Sequence, residues 1–283
     1  MPICVQIRML DRDYQFIREL VYSHSRIHLG PAKRELVSAR LGRRLRATNL
    51  TSIGEYCRFL QCKKGEEEIS HLIDAISTHH TSFFREPAHF DFLSKTAVPD
   101  MIARREGQSW PTFKVWCAAC STGEEPYSIA MTLIRALEPV RPAWPVHIEA
   151  TDISHRVLQR ARIGVYSKEA LKDLPAPLVR RCFQKGFGPQ NGNYRVKQFL
   201  QDAVTFRQMN LLEGSPPFSD RYHVIFCRNV MIYFDRLTRH ELVRRLSSLL
   251  VPGGYLMVGH SESLTGIHQG LERVESATYR APL

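Results

Sequence analysis

The stretch 111-PTFKVWCAACSTGEEPYSIAM-131 decides the fold. It runs from an apolar, β-rich segment through small residues into a helical pattern, the passage that opens a cofactor turn at the edge of a parallel sheet. A dinucleotide loop carries three glycines at such a turn; here Gly123 stands alone and two acids, Glu124 and Glu125, follow it. Gly123 permits the close turn, and acids suit the first turn of a helix because the macrodipole is positive there. The same acids would repel a pyrophosphate lying on that helix end. The turn therefore points to a cationic or hydroxyl-rich ligand.

Downstream, short β-rich runs recur at 146-VHIEAT, 204-VTFRQMN, 222-YHVIFC and 255-YLMVGH. Helical patterns separate them at Glu124 to Leu137, Ser154 to Ala161 and Arg236 to Leu250. The alternation predicts an α/β fold, a mostly parallel sheet covered on both faces, with ligands at the carboxyl ends of its strands. The segment 271-LERVESATYRAPL is expected to add one last strand, antiparallel if it closes a hairpin with 255-YLMVGH. Glycines, a proline and asparagines in 185-KGFGPQNGNYRV predict an insert of turns and short strands over about 175–201. Upstream, Asp13 to His24, Ala32 to Ala47, Ile53 to Cys62 and Glu66 to Thr78 space their apolar residues three and four apart, so residues from about 11 to 105 read as helical; the expected division is an all-α domain with its linker at 1–88 and the sheet domain at 89–283.

Polar residues interrupt the apolar pattern at the predicted strand ends. Asp152, in 149-EATDIS, is placed to accept hydrogen bonds from ribose hydroxyls or to cap the next helix, a role for which Ser154 competes. In 226-FCRNVMIYFD-235, Arg228 and Asn229 break a hydrophobic run, with Tyr233 and Asp235 close behind. Buried arginine and asparagine need partners, so this run is either a polar core network or a ligand contact. The stretch 78-THHTSFFREPAHF-90 sets Phe83 and Phe84 beside Thr81 and Arg85. Its His79 and His80 lack the spacing and the acidic partner of a metal site, and no metal is expected. Cys117 and Cys120 form a C-x-x-C without a second pair, which reads as two small strand-end residues rather than a zinc or redox centre.

Seven scattered cysteines in 283 residues suit a reducing compartment, and no apolar run has the length of a membrane span. The N-terminal MPICVQIRMLDRDYQF carries charge where a leader needs an apolar core, so a cytoplasmic protein is expected. A formal charge of +11 points to an acidic partner. In 32-AKRELVSARLGRRLRA-47, Val37, Leu41 and Leu45 form one helical stripe, and Lys33, Arg40, Arg43 and Arg44 share the neighbouring face. That face is either simply solvated or a docking surface.

FFRE at 83–86, STGEEPYSIA at 121–130, ATDIS at 150–154 and FCRNVMIYFD at 226–235 resemble the CheR-type chemotaxis receptor glutamate methyltransferases. The resemblance implies a helical N-terminal domain joined to a class I, Rossmann-like methyltransferase domain that uses S-adenosylmethionine and releases S-adenosylhomocysteine. It implies cofactor contacts from His79, Thr81, Arg85, Glu125, Asp152, Asn210, Leu211, Arg228 and Asn229; at His79 the family commonly carries asparagine. It also implies that the basic face of Lys33, Arg40, Arg43 and Arg44 docks on the acidic helical bundle of a methyl-accepting chemoreceptor, and that the β-insert takes a receptor C-terminal peptide by strand addition. The receptor glutamate is already ionised near neutral pH, so its methylation needs no general base. Arg85 and Tyr233 are expected to align the acceptor carboxylate. A monomer acting on protein is expected, with neither nucleic acid nor membrane insertion. The competing readings are a nucleic-acid methyltransferase, against which the absence of N-P-P-Y or D-P-P-Y counts, and a non-catalytic receptor-binding adaptor.

Overall fold

A computed structural model describes residues 9–105, 110–140, 144–213, 221–267 and 270–283; the first eight residues, where a leader would lie, fall outside the described residues. The chain divides into two compact units, residues 1–78 with 233–238, and 79–232 with 239–283.

The first unit is built on four helices, α1 (Asp11–Ser25), α2 (Arg34–Thr48), α3 (Ile53–Leu60) and α4 (Glu66–Ile76). Its core gathers Ile17, Val21, Tyr56, Leu60, Leu72 and Ile76 around the α2 stripe of Val37, Leu41 and Leu45, as the helical spacing requires. Ser52 caps α3 by accepting from the Glu55 N–H at 3.3 Å. One buried carboxylate ties three helices. Glu68 of α4 accepts from Arg44 Nε and Nη2, both at 2.7 Å, and from the Tyr56 hydroxyl at 2.7 Å. Arg40 donates to the Ile76 and Ser77 carbonyls and to Thr78 Oγ1, satisfying the last carbonyls of α4. Of the four cations expected on one helical face, Arg40 and Arg44 are therefore used inside the unit, and Lys33, in the 3-10 turn before α2, and Arg43 stand exposed.

The second unit opens with α5 (Ala88–Phe92), a π-helical turn (Leu93–Ala97) and α6 (Val98–Arg105). The strands that follow are β1 (Phe113–Ala118), β2 (Val146–Asp152), β3 (Val165–Ser167), β4 (Phe183–Lys185), β5 (Asn193–Val196), β6 (Val204–Gln208), β7 (Tyr222–Cys227), β8 (Leu250–Val258), β9 (Glu272–Glu275) and β10 (Thr278–Arg280). The helices between them are α7 (Glu124–Leu137), α8 (His155–Ile163), α9 (Ala176–Cys182), α10 (Gln198–Gln201) and α11 (Arg236–Ser248), whose first residues cluster with the helical unit. Seven strands form one sheet in the order β6-β2-β1-β7-β8-β10-β9. The first five run parallel; β1, β7 and β8 are largely buried, which explains their apolar runs, whereas β6 at the sheet edge buries only Val204. The strand order reverses between β1 and β7, where a doubly wound sheet opens a crevice at the strands' carboxyl ends.

Three boundaries differ from the sequence-based expectation, each because tertiary packing overrides local pattern. The C-terminal segment forms two strands rather than one: β10 runs antiparallel to β8, and β9 turns back on β10. The small insert is a three-stranded sheet ordered β3-β5-β4, so it recruits Val165–Ser167 from ahead of residue 175. The units divide after Thr78 because the FFRE segment belongs with the sheet. Phe83 meets Tyr166 and Phe183 edge-on, and the Phe84 N–H donates to Ser128 Oγ at 3.0 Å.

Candidate active site

The turn after β1 needs its single glycine. Gly123 sits at φ +97°, and a Cβ there would lie 2.7 Å from the Tyr166 hydroxyl oxygen and 2.9 Å from the Ala161 Cβ. Tyr166 donates to the Thr122 carbonyl at 2.7 Å and seals the turn from behind. The two acids then part company. Glu124 is buried and accepts from Thr122 Oγ1 at 2.7 Å, and burial raises its pKa. Glu125 is half-buried. Its Oε1 accepts from Cys117 Sγ at 3.2 Å, and its Oε2 receives Arg228 Nη1 at 2.6 Å.

Arg228, just past β7, organises the site. Its side chain has no exposed surface; besides Glu125, it donates through Nη2 to the Arg85 carbonyl and to Glu86 Oε2 at 2.9 Å. A guanidinium so enclosed persists only when carboxylates meet it, and two do. Of the readings open for this run, the polar network is what the side chain builds. Asn229 beside it takes φ +58° and reaches Glu86 Oε1 through Nδ2 at 3.3 Å. That turn is held from below by Glu262, buried, which accepts the N–H groups of Asn229 at 2.7 Å, Gly259 at 2.7 Å and Ile232 at 3.2 Å.

Asp152 ends β2 and is buried. Its Oδ2 accepts the Ser121 N–H and its Oδ1 the Ser154 N–H, both at 2.9 Å. Ser154 is the cap of α8, accepting the Val157 N–H, so the capping alternative for Asp152 falls away. Ser121 Oγ donates to the His79 carbonyl at 3.1 Å, which brings the 79–86 segment to the same edge. The His79 Nε2 atom is buried there without a hydrogen-bond partner. Half-buried Thr81 lies in this segment, and Arg85 donates through Nη1 to the His80 carbonyl at 2.9 Å. Asn210 and Leu211 follow β6, tied to the β2 end by the Met209 N–H on the Asp152 carbonyl at 2.9 Å.

All nine residues expected to touch the cofactor thus belong to the second unit, along the ends of β1, β2, β6 and β7 and the 79–86 segment. Tyr233 clusters with the helical unit, where its carbonyl accepts the His28 N–H at 2.7 Å. Asp235 accepts there from the Tyr22 hydroxyl at 2.7 Å and the Thr238 N–H at 2.9 Å. Phe84, Glu86, Ala119, Ser121 and Asn229 all take positive φ without being glycine, and such strain collects where a fold is shaped for a ligand. Glu86 and Glu262 escaped the sequence reading. The signal for Glu86 was its place in FFRE; Glu262 carried none.

Burial raises the thiol pKa values of Cys117, Cys120 and Cys227 well above the ordinary cysteine range, so these are inert packing groups. Among the described residues no helix is long and apolar enough to cross a membrane.

The family model described as "CheR methyltransferase, SAM binding domain" matches residues 79–280, and that described as "CheR methyltransferase, all-alpha domain" matches residues 12–77. The chain belongs to the CheR family. It is 43% identical over 94% of its length to "Chemotaxis protein methyltransferase 2" of Pseudomonas aeruginosa, of which the match covers 92%. With "Chemotaxis protein methyltransferase" of Borreliella burgdorferi it shares 39% over 93% of its length and 91% of that protein, and with that of Escherichia coli 40% over 93% and 88%. The domain boundary between the two CheR models falls where the compact units divide. A CheR methyltransferase domain takes S-adenosylmethionine, and the site fits it. Acids replace a phosphate cradle at the turn, a buried carboxylate ends β2, and a buried ring nitrogen of His79 waits at the edge.

Proposed function

We propose that this chain transfers the methyl group of S-adenosylmethionine to glutamate side chains on the cytoplasmic part of methyl-accepting chemoreceptors. One arrangement supports the reading: in a chain of the CheR family, the Glu125 and Asp152 carboxylates stand at the carboxyl ends of the neighbouring parallel strands β1 and β2. S-adenosylmethionine supplies a methyl group on a positively charged sulphur, and everything else falls to the protein's own residues.

Asp152, oriented at the end of β2 by two backbone N–H groups, accepts from the hydroxyls of a ribose. Glu125 offers negative charge to an ammonium, and Arg228 fixes its position rather than touching the ligand. Thr81, His79, Asn210, Leu211 and Asn229 line the remaining edge. Arg85 and Tyr233 align the acceptor carboxylate by charge-assisted and neutral hydrogen bonds; neither takes or gives a proton. Such a site works by orientation and exclusion of water, because a carboxylate and a sulphonium lose charge together as they react.

Lys33 and Arg43 present the exposed positive face toward the acidic receptor bundle. The small sheet leaves β3 and β4 at its edges, where an extended receptor C-terminal peptide would add as a strand. We take the working enzyme to be a cytoplasmic monomer.

The test uses tritiated S-adenosylmethionine with receptor-containing membranes, followed by alkali. Glutamate methyl esters release volatile tritiated methanol; methylated nitrogens do not. Radioactivity that stays non-volatile, or no transfer at all, would remove the proposal.

A further inference from the structure

We propose that Glu86, His89 and His260 form a binding site for a borderline divalent metal ion such as Zn2+, next to the Arg228 network. Each offers one ligand atom, and these atoms lie within 4.8 Å of one another. Glu86 stands just ahead of α5 and His89 in its first turn, three residues apart, and His260 follows β8 from the far end of the sequence.

His89 is the observation that asks for a ligand. Its ring is 1% exposed, and neither nitrogen has a hydrogen-bond partner. Burying a polar nitrogen unpaired is costly, so such a ring in a native fold calls for an occupant. Its Nδ1 lies 3.5 Å from Glu86 Oε2, too far for a well-formed hydrogen bond. Around a tetrahedral Zn2+, with bonds of roughly 2.0–2.2 Å, a nitrogen and an oxygen donor stand about 3.4 Å apart. The separation is that of two donors on one ion.

The surroundings supply the rest. The His260 ring centroid is 4.9 Å from that of His89; His260 is exposed and free to swing onto an ion, leaving the outer coordination position to water. Glu86 is oriented from behind by Arg228, Asn229 and the His260 N–H, as ligating carboxylates usually are. The Arg228 charge is already matched by two carboxylates, Glu86 and Glu125, so a cation does not enter a positive site. Two imidazoles and one carboxylate suit Zn2+ better than Mg2+ or Ca2+. An ion on Glu86 competes with Arg228 and Asn229 for that carboxylate and so slows methyl transfer. Only this last consequence rests on the proposed activity.

The test is calorimetry of the full-length, chelator-treated protein with zinc chloride, without cofactor. One Zn2+ should bind per chain, and His260→Ala, at an exposed position, should weaken binding at least tenfold, as should His89→Gln. Co2+ bound in place of Zn2+ should show the visible absorption of a tetrahedral site in the wild type and lose it in His260→Ala. No uptake by the wild type, or equal affinity in His260→Ala, would overturn the site whether or not the protein methylates receptors. Half-inhibitory zinc in the methylation assay should rise in parallel in His260→Ala.

Discussion

Nη1 of Arg228 lies 2.6 Å from Oε2 of Glu125, and the Arg228 side chain is wholly enclosed. The carboxylate in the first turn of α7 is thus positioned by a cation from the neighbouring strand end. Removing that cation leaves Glu86 and Glu125 uncompensated. Arg228→Met should lower unfolding free energy by about 3–5 kcal/mol, the usual cost of breaking a buried pair from one side. Urea denaturation would measure it. A loss under about 1 kcal/mol would show that the network is dispensable.

The helix after β1 was legible to the residue, since Gly123 and the acids behind it mark its start and the apolar spacing carries it to Leu137. The central parallel strands β1, β7 and β8 were legible for a similar reason: burial on both faces writes an apolar run. The partners of Arg228 were not. Glu86 and Glu262 reach their targets across the fold, and nothing in the local pattern of either segment says which way its carboxylate turns. Short elements were equally hidden; Val165–Ser167 becomes a strand only because Asn193–Val196 pairs with it. Arg40 and Arg44 share a helical face with Lys33 and Arg43 by period alone, and only the packing of α4 separates structural cations from exposed ones.

That separation makes a prediction. Charge reversal at Lys33 and Arg43 should raise KM for receptor several-fold and leave kcat, cofactor affinity and stability unchanged. Arg44→Ala should instead act on the fold, costing about 3 kcal/mol or more through the stranded Glu68 carboxylate. Steady-state kinetics beside thermal melts tell the two apart; a KM effect confined to Arg44 would refute the docking face.

Tyr233→Phe should reduce turnover on receptor by roughly tenfold, one lost hydrogen bond in the transition state, with S-adenosylhomocysteine affinity unaltered. Arg85→Lys should impair it further, because a point charge cannot replace a planar donor pair. Unchanged kcat and KM in Tyr233→Phe would exclude the phenol from the chemistry.

Stability should fall as pH drops from about 6.5 to 4. Burial lowers the pKa values of His89 and His223 to about 4, so between that value and the unfolded one near 6.5 the unfolded chain binds more protons and unfolding becomes easier as pH falls. His223 is stacked on Phe113, and its Nδ1 accepts the Lys114 N–H at 3.0 Å, which requires the neutral ring. His223→Asn should flatten the slope by about one proton across that window. Denaturation midpoints at several pH values would show it; an unchanged slope would mean that His223 titrates normally.

The central claim is that the carboxylates ending β2 and opening α7 hold S-adenosylmethionine. Titration calorimetry of S-adenosylhomocysteine against the wild type, Asp152→Asn and Glu125→Gln measures it most directly. One molecule should bind per wild-type chain, and each variant should bind at least tenfold more weakly while folded, about 1.4 kcal/mol for a charged hydrogen bond lost. Wild-type affinity in both variants, or no heat from the wild type, would contradict the account.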